Sequence, residues 1–315
     1  SSSLSTSTSS SSNDNNTVEF HMFSALKKAR LIVDRFSCNY SRCGRTDRGV
    51  SAFGQVVSLS IRSAFPRNTD LATLPTNSYT PLDIRTKDED KRKGVREMDY
   101  CKLLNALLPD EIRFISWAPV SNEFSARFSC TARTYKYFFV RRTMNLLKMN
   151  EALQKMVGEH DFRNLAKMNV ENVSNYKRRI FGARIVPVGG AAEGSRQLCY
   201  FEIRGQAFLW HMIRNIVSVL FFVGWGLEEP TVVDDLFDIS RMPRKPNYEM
   251  ALDTPLVLFD CEFLHVKGTY TAHNLWELTR HFEKRWEDAA LVMAKARDGL
   301  DSLEGVSVDR GDLID

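Results

Sequence analysis

The stretch with the most distinctive chemistry is 43–52, CGRTDRGVSA. A single carboxylate, Asp47, stands there between Arg45 and Arg48, with a glycine on each side of the group. An aspartate between glycines most often belongs to a turn. The two flanking arginines favour a second interpretation, in which they keep the carboxylate ionised and contact a negatively charged substrate. Asp47 is therefore a candidate catalytic residue.

Arg214, within FLWHMIRNIVSVLFF, is the second candidate. A guanidinium group in so apolar a helix is costly unless it is paired or faces a cleft. One interpretation places Arg214 at the rim, with its aliphatic stem on the core. The other is an ion pair with an active-site carboxylate, for which Asp47 is the natural partner. We expect His211 and Met212 beside it only to pack.

An aromatic strand, RTYKYFFV, carries Tyr135 and Tyr137 on one face and is preceded by Arg127 and Arg133. An aromatic surface between cations suits an extruded RNA base, which stacks on the ring while the cations take the phosphates. The alternative is an ordinary core strand with alternating aromatics, above all for Tyr137.

The composition limits the class of protein. The 315 residues carry a net charge of +4 with 43% hydrophobic and 26% charged residues, which is typical of a globular enzyme and permits nucleic acid as a partner. None of the six cysteines forms a CxxC pair, so we expect reduced thiols, no metal site and an intracellular protein. The compartment is expected to be the nucleus, the cytoplasm or both, and an organelle stays open as an alternative. The longest apolar run, IVSVLFFVGWG, is too short for a membrane span.

The order of helical and strand patterns predicts an α+β protein with two subdomains. A Ser-rich, disordered tail (1–15) precedes an N-terminal catalytic subdomain (16–142), which contains a polar, mobile insertion at about 63–97. A C-terminal subdomain (143–305) ends in a long helix, followed by a short tail (306–315).

Several local expectations can be compared with the structure. Asn16 and Glu19 resemble a capping box at the start of the first helix. QVVSLSI and IRFISWAPV are predicted strands. The C-terminal helix is predicted to bury one stripe, formed by Leu275, Leu278, Phe282, Trp286 and Met293.

Four segments occur in a fixed order: GRTDRGVSAFGQV, LNALLPDEI, FSARFSCTARTYKY and FLWHMIRNIV. Together they resemble the ordered motifs of the TruA family of tRNA pseudouridine synthases, from about residue 17 to about residue 264. FSARFSC and HDFRNLAKMNV are similar to the eukaryotic branch that modifies uridines 38 and 39 in the anticodon arm.

The resemblance implies roles for individual residues. Asp47 would be the catalytic aspartate, paired with Arg214, while Arg45 would help to extrude the target uridine and Tyr135 would stack on it. The residue pattern adds three arginines to the substrate-binding set: Arg48, Arg127 and Arg133.

The family fold is two ferredoxin-like halves that share one antiparallel sheet, with helices on one face and a basic cleft between them. The implied reaction breaks the C1′–N1 bond of uridine and joins C5 to C1′, with the carboxylate as nucleophile or as base. The implied partner is the anticodon stem-loop of tRNA, without cofactor, metal or membrane, and a homodimer is compatible with the family.

The sequence departs from the family pattern at its start, where the Ser-rich stretch runs directly into the first helix. The strand that normally precedes this helix is therefore expected to be missing, which would expose an edge of the first half-sheet. Two alternatives stay open: a paralogue acting on other tRNA or mRNA uridines, and a non-catalytic RNA-binding or tRNA-chaperone protein. Asp47, Tyr135 and Arg214 favour an enzyme, whereas the missing strand favours the non-catalytic alternative.

Overall fold

The structure is a computed structural model that describes residues 16–65, 97–167, 175–189 and 194–304. The predicted tails, 1–15 and 306–315, lie outside these residues. So does 66–96, which is nearly all of the predicted insertion.

Helices and strands alternate along the described chain, and this confirms the α+β class. The helices are α1 (Val18–Lys28), α2 (Tyr100–Asn105), α3 (Leu146–Gln154), α4 (Met212–Gly224), α5 (Val232–Phe237) and α6 (Ala272–Glu304). Two 3₁₀ turns are Arg163–Leu165 and Gly194–Arg196. The strands are β1 (Ser41–Arg42), β2 (Ser51–Ala52), β3 (Val57–Ser58), β4 (Cys130–Val140), β5 (Gly158–Asp161), β6 (Lys177–Pro187), β7 (Leu198–Gly205) and β8 (Leu256–Phe263).

A six-stranded sheet with the order β2-β8-β4-β7-β6-β5 is the main scaffold, and β1 and β3 form a separate two-stranded sheet. The predicted sheet was purely antiparallel, but this one is mixed, because β2 runs parallel to β8. All other pairs of neighbouring strands in this sheet are antiparallel. The central strand β4 carries Tyr135, which lies opposite Ile203 of β7 and Leu258 of β8.

One compact unit comprises 39–60 and 122–266 and contains both sheets with α3, α4 and α5. Its core is built around α4, an apolar helix that packs on α3. The buried aromatics of β4 and β7 join the same core, with Tyr137 stacked on Phe201 at 5.6 Å between ring centroids. Tyr137 is therefore a core residue. Each compact unit combines stretches from both predicted subdomains.

The other unit comprises 1–38, 61–121 and 267–315. Its first helix, α1, buries Met22, Phe23 and Leu26 on one face. The side chain of Thr17 accepts a hydrogen bond from the backbone N–H of Phe20, so Thr17 is the N-cap and the prediction of Asn16 was wrong.

The predictions of strands at QVVSLSI and IRFISWAPV were largely wrong, because these segments have little regular pairing. QVVSLSI keeps only β3, because its partner β1 is two residues long. In IRFISWAPV the structure gives one bridge, between Trp117 and Thr269. Alternating hydrophobicity identifies a half-buried extended segment, but only a paired neighbour makes it a strand.

The predicted buried stripe on α6 was also mostly wrong. Leu278 is buried, whereas Trp286 is 70% exposed. The other three predicted members, Leu275, Phe282 and Met293, are exposed as well. Near the start of α6, Asn274 donates to the backbone carbonyls of Phe114 and Ile115. Packing of α6 is therefore concentrated near its first turns.

Within the described ranges, no helix combines the length and apolarity that crossing a bilayer requires.

Candidate active site

The loop that carries Asp47 is fixed at its start by backbone and side-chain hydrogen bonds. The N–H of Cys43 donates to the carbonyl of Val56 at 2.8 Å. The Gln55 amide then holds both backbone groups of Gly44, accepting from its N–H at 3.1 Å and donating to its carbonyl at 2.9 Å. Such reciprocal bonds limit rotation of the loop, and sequence reasoning did not identify Gln55.

The loop then turns and reaches the sheet through two glycines. Gly49 has φ +86°, and the N–H of Val50 donates to the carbonyl of Asp47 at 3.2 Å to close the turn. At Gly54 an added Cβ would lie 2.4 Å from the carbonyl oxygen of Phe259, so only glycine allows this approach to β8. The glycines thus place Asp47 at a fixed distance from the sheet.

The Asp47 carboxylate has three side-chain neighbours, all on the segment that enters α4. The indole N–H of Trp210 donates to Oδ1 at 3.1 Å. Nε2 of His211 lies 3.3 Å from Oδ2, and Nη1 of Arg214 lies 3.8 Å from the same oxygen. The structure thus brings the two predicted catalytic residues, Asp47 and Arg214, together.

Arg214 is held from both sides. Its Nε donates to the carbonyl of Ala251 at 2.7 Å, and only 12% of its side chain is exposed. The same chain segment is fixed to α4 because the N–H of Ala251 donates to Ser218 Oγ at 2.8 Å. These contacts favour the predicted ion pair over the alternative of an arginine at the rim.

His211, expected only to pack, belongs to the carboxylate's surroundings. Its backbone is left-handed, with φ 62°, and this turns the side chain of the residue before α4 toward Asp47. Burial lowers the pKa of His211 below its usual 6.5, although the charge of Asp47 acts in the opposite direction. The imidazole is therefore neutral at pH 7 and can still donate one N–H to the carboxylate.

Tyr135 projects from β4 as a half-buried ring. It packs edge-on against Phe208, with the ring centroids 5.1 Å apart. Burial chiefly raises the pKa of the Tyr135 hydroxyl, and the negative charge of Asp47 adds to the shift. The phenol is thus uncharged at neutral pH and offers a flat apolar surface near the carboxylate.

The four arginines predicted to bind substrate fall into two groups. Arg45, Arg48 and Arg127 are exposed. Arg133 is buried, and its guanidinium group donates to the carbonyls of Cys43 and Gln206 at 3.0 and 2.7 Å. Arg133 thus fastens the start of the Asp47 loop to the sheet instead of facing solvent.

Comparison with known proteins identifies the family. A family model described as tRNA pseudouridine synthase matches residues 152–264. The chain is 37% identical over 289 residues to a Caenorhabditis elegans protein named "Probable tRNA pseudouridine synthase tag-124", covering 90% of this chain and 69% of that protein. The chain belongs to the tRNA pseudouridine synthase family.

Other relatives confirm the resemblance of this family member to the TruA group. It is 44% identical over 303 residues to the tRNA pseudouridine(38/39) synthase of Homo sapiens, covering 94% of this chain and 61% of the human protein. It is 40% identical over 252 residues to that of Saccharomyces cerevisiae, covering 78% of this chain and 51% of the yeast protein. The chain spans about three fifths of the length of its mammalian relatives.

Beside His211, this tRNA pseudouridine synthase family member has a pocket of about 620 Å³ that sequence reasoning missed. It is lined by Ala166, Lys167, His211, Asn215, Pro243, Arg244, Lys245 and Met250. Three of these are cations, and burial lowers the pKa of Lys245. The buried Oδ1 of Asn215 has no hydrogen-bond partner among the described residues. The pocket therefore offers positive charge beside His211, which contacts the Asp47 carboxylate.

The structure also brings together three cysteines that are far apart in sequence. The sulfur atoms of Cys43, Cys130 and Cys261 all lie within 4.8 Å of one another, and all three residues are buried. This trio is the one group of potential metal ligands found within the described ranges. Spacing along the chain gave no signal for it.

Proposed function

We propose that this chain converts uridine to pseudouridine at positions 38 and 39 of the tRNA anticodon stem-loop. The observation that carries the proposal is the Asp47 carboxylate, held by Trp210, His211 and Arg214. It belongs to a chain 44% identical to a protein named tRNA pseudouridine(38/39) synthase.

The reaction rearranges one nucleoside without adding or removing atoms. The C1′–N1 bond breaks, uracil rotates in the site, C5 bonds to C1′, the proton on C5 leaves and N1 gains a proton. Asp47 acts either as a nucleophile at C1′ or as a base at the sugar. In both roles the carboxylate must be ionised and correctly rotated. Arg214 supplies the opposite charge, and Trp210 and His211 fix the rotation.

The remaining site residues suit an extruded base. Tyr135 presents its half-buried ring for stacking, and Arg45 lies exposed on the same loop as Asp47, where it can occupy the space that the uridine leaves. Arg48 and Arg127 are exposed and contact phosphates. Arg133, with its guanidinium group bonded to carbonyls, acts by positioning the loop.

The pocket beside His211 extends the basic surface. Lys167, Arg244 and Lys245 converge there, and Lys167 also lies 4.2 Å above the ring of Trp210. A polyanion binds where several cations converge, and RNA is the polyanion that the family relationship suggests. We assign this pocket to the RNA backbone next to the target nucleotide.

The decisive experiment incubates the protein with unmodified tRNA and maps pseudouridine chemically. We expect product at positions 38 and 39 with the wild type, and a loss on the order of 10³-fold or more with Asp47→Asn, because the amide cannot act as nucleophile or base. Asp298→Asn, which removes an exposed carboxylate on α6, is the matched control and should retain full activity.

The same experiment separates the alternatives. Product only at other uridines would indicate a paralogue with a different target. Binding of tRNA without any product would indicate a non-catalytic RNA-binding protein. The ferredoxin-like halves, the basic cleft between them, the homodimer and the nuclear or cytoplasmic compartment stay predictions.

A further inference from the structure

The buried cysteine trio lies directly behind the Asp47 loop. Cys43 immediately precedes Gly44, Cys130 begins β4 and Cys261 lies on β8. Their sulfur atoms lie within 4.8 Å of one another. The trio thus joins three chain segments that are separated by more than 80 residues in sequence.

The surroundings of the trio are mainly apolar and include the phenol ring of Tyr135 and one cation. Ala126 and Leu258 complete a buried cluster with the cysteines, and Val56, Phe124 and Phe263 pack around it. The guanidinium group of Arg133 donates to the carbonyl of Cys43 at 3.0 Å, so one cation lies beside the trio. Burial in apolar surroundings disfavours a free thiolate, and a bound cation offsets this cost.

The thiols also contact the nearby backbone. The Cys130 sulfur lies 3.2 Å from the carbonyl of Ala132, to which its S–H donates. The three sulfur atoms are close enough to one another to share one cation.

We propose that Cys43, Cys130 and Cys261 bind one thiophilic d¹⁰ cation, Zn²⁺ or Cu⁺, as a tris-thiolate site. Metal–sulfur bonds of about 2.3 Å in a trigonal arrangement separate the sulfurs by about 4 Å, so the trio needs only sub-ångström adjustment. Soft thiolate ligands select these two ions over harder cations. Binding replaces three S–H protons, which leave to solvent, and involves no change of oxidation state.

A cation bound by the trio links strands β4 and β8 to Cys43, which lies at the start of the Asp47 loop. Gln55 and Arg133 already hold this point through hydrogen bonds to Gly44 and Cys43. A cation on the trio adds a third restraint at this point of the chain. The inference is independent of the proposed reaction, because its test contains no RNA.

The test titrates the reduced, chelator-treated full chain with Cd²⁺ and follows the ultraviolet thiolate-to-cadmium absorption band. We expect one Cd²⁺ per chain, release of protons into a weakly buffered solution and a raised melting temperature. Competition against the bound Cd²⁺ with Zn²⁺ in one arm and Cu⁺ in another then identifies the preferred ion.

Two variants locate the binding. Cys130→Ser should weaken Cd²⁺ binding by roughly two orders of magnitude, because one of three ligands is lost. Cys199→Ser removes another buried thiol of the same sheet, outside the trio, and should leave the titration unchanged.

A titration without the band at stoichiometric Cd²⁺, or one that is identical in wild type and Cys130→Ser, overturns the proposal. If Cys130→Ser does not fold, the wild type still decides the question through alkylation. Bound Zn²⁺ or Cu⁺ should slow the labelling of Cys43, Cys130 and Cys261 by a larger factor than that of Cys199, which responds only to the gain in overall stability. Equal labelling with and without the ions also overturns the proposal.

Discussion

Asp47 and Arg48 are consecutive residues, yet their side chains differ in exposure and in contacts. The carboxylate of Asp47 is 28% exposed and lies against Trp210, His211 and Arg214. The side chain of Arg48 is exposed, and the structure gives it no ion pair with any residue in the described ranges. One loop thus carries a carboxylate held by neighbouring side chains and, beside it, an exposed cation.

The difference fits the roles that we propose for the two groups. A group that reacts with one atom must be held in place before the substrate arrives, because its placement controls the rate. A group that grips a phosphate can adjust, since the attraction of charges is weakly directional. We therefore expect substitutions of the residues that hold the Asp47 carboxylate to lower kcat. Substitutions of exposed cations such as Arg48 should weaken tRNA binding.

After Asp47→Asn, the largest expected effect belongs to Arg214→Met. Opposite charges about 4 Å apart near a protein surface attract each other by on the order of 4 kcal/mol before desolvation is counted. Loss of this partner should lower kcat by roughly 10²- to 10³-fold while the Kd for tRNA changes little. Single-turnover kinetics with filter-binding measurements would separate the two quantities.

Arg184→Met is the matched control, because Arg184 also pairs with a carboxylate, that of Glu202, but is 65% exposed. Exposed pairs of this kind contribute about 0–1 kcal/mol, so kcat should not change. If Arg214→Met weakened tRNA binding and left kcat unchanged, Arg214 would act in tRNA binding, as we propose for Arg48.

His211→Asn should have an intermediate effect. Asparagine tolerates the left-handed backbone at this position but is too short to reach Asp47 as the imidazole does. The carboxylate then keeps Trp210 and Arg214 but gains rotational freedom, and we expect kcat to fall about tenfold. An unchanged kcat would show that the His211 contact does not orient the carboxylate.

The pH dependence of stability provides a second readout of His211. Because its pKa in the folded state is below the usual 6.5, the unfolded chain takes up a proton at higher pH than the folded chain. Stability should therefore decline as pH falls from about 7 through 6.5 toward the folded pKa. Denaturant unfolding across this range should show a weaker decline in His211→Asn.

The sequence predicted the pairing of Asp47 with Arg214 better than the contacts that support this pair. Asp47 and Arg214 were identifiable because each has an unusual charge for its surroundings, an acid among arginines and a cation in an apolar helix. Gln55 and Trp210 carry no such signal, since their roles depend on a hydrogen bond to a residue that is distant in sequence or close only after a turn. Composition alone gives no indication of such contacts.

The same limit explains why spacing gave no signal for the cysteine trio and why two strand predictions failed. No short spacing connects residues 43, 130 and 261, so only the pairing of β4 with β8 and the approach of the loop bring the three thiols together. QVVSLSI has the alternation of a strand, but its described partner is two residues long. Patterns within one segment predict which face is buried, while partners are set by the whole fold.

The smallest expected effect is that of Arg48→Met. One phosphate contact should be lost, so tRNA affinity should fall roughly three- to tenfold, and the slope of log affinity against log salt should decrease by about 1. The rate constant for bound tRNA should stay the same. Arg285→Met, an exposed arginine on α6 in the other compact unit, is the control and should change neither quantity. A fall in kcat with an unchanged salt slope would contradict the comparison, because Arg48 would then act on the reacting centre as Arg214 does.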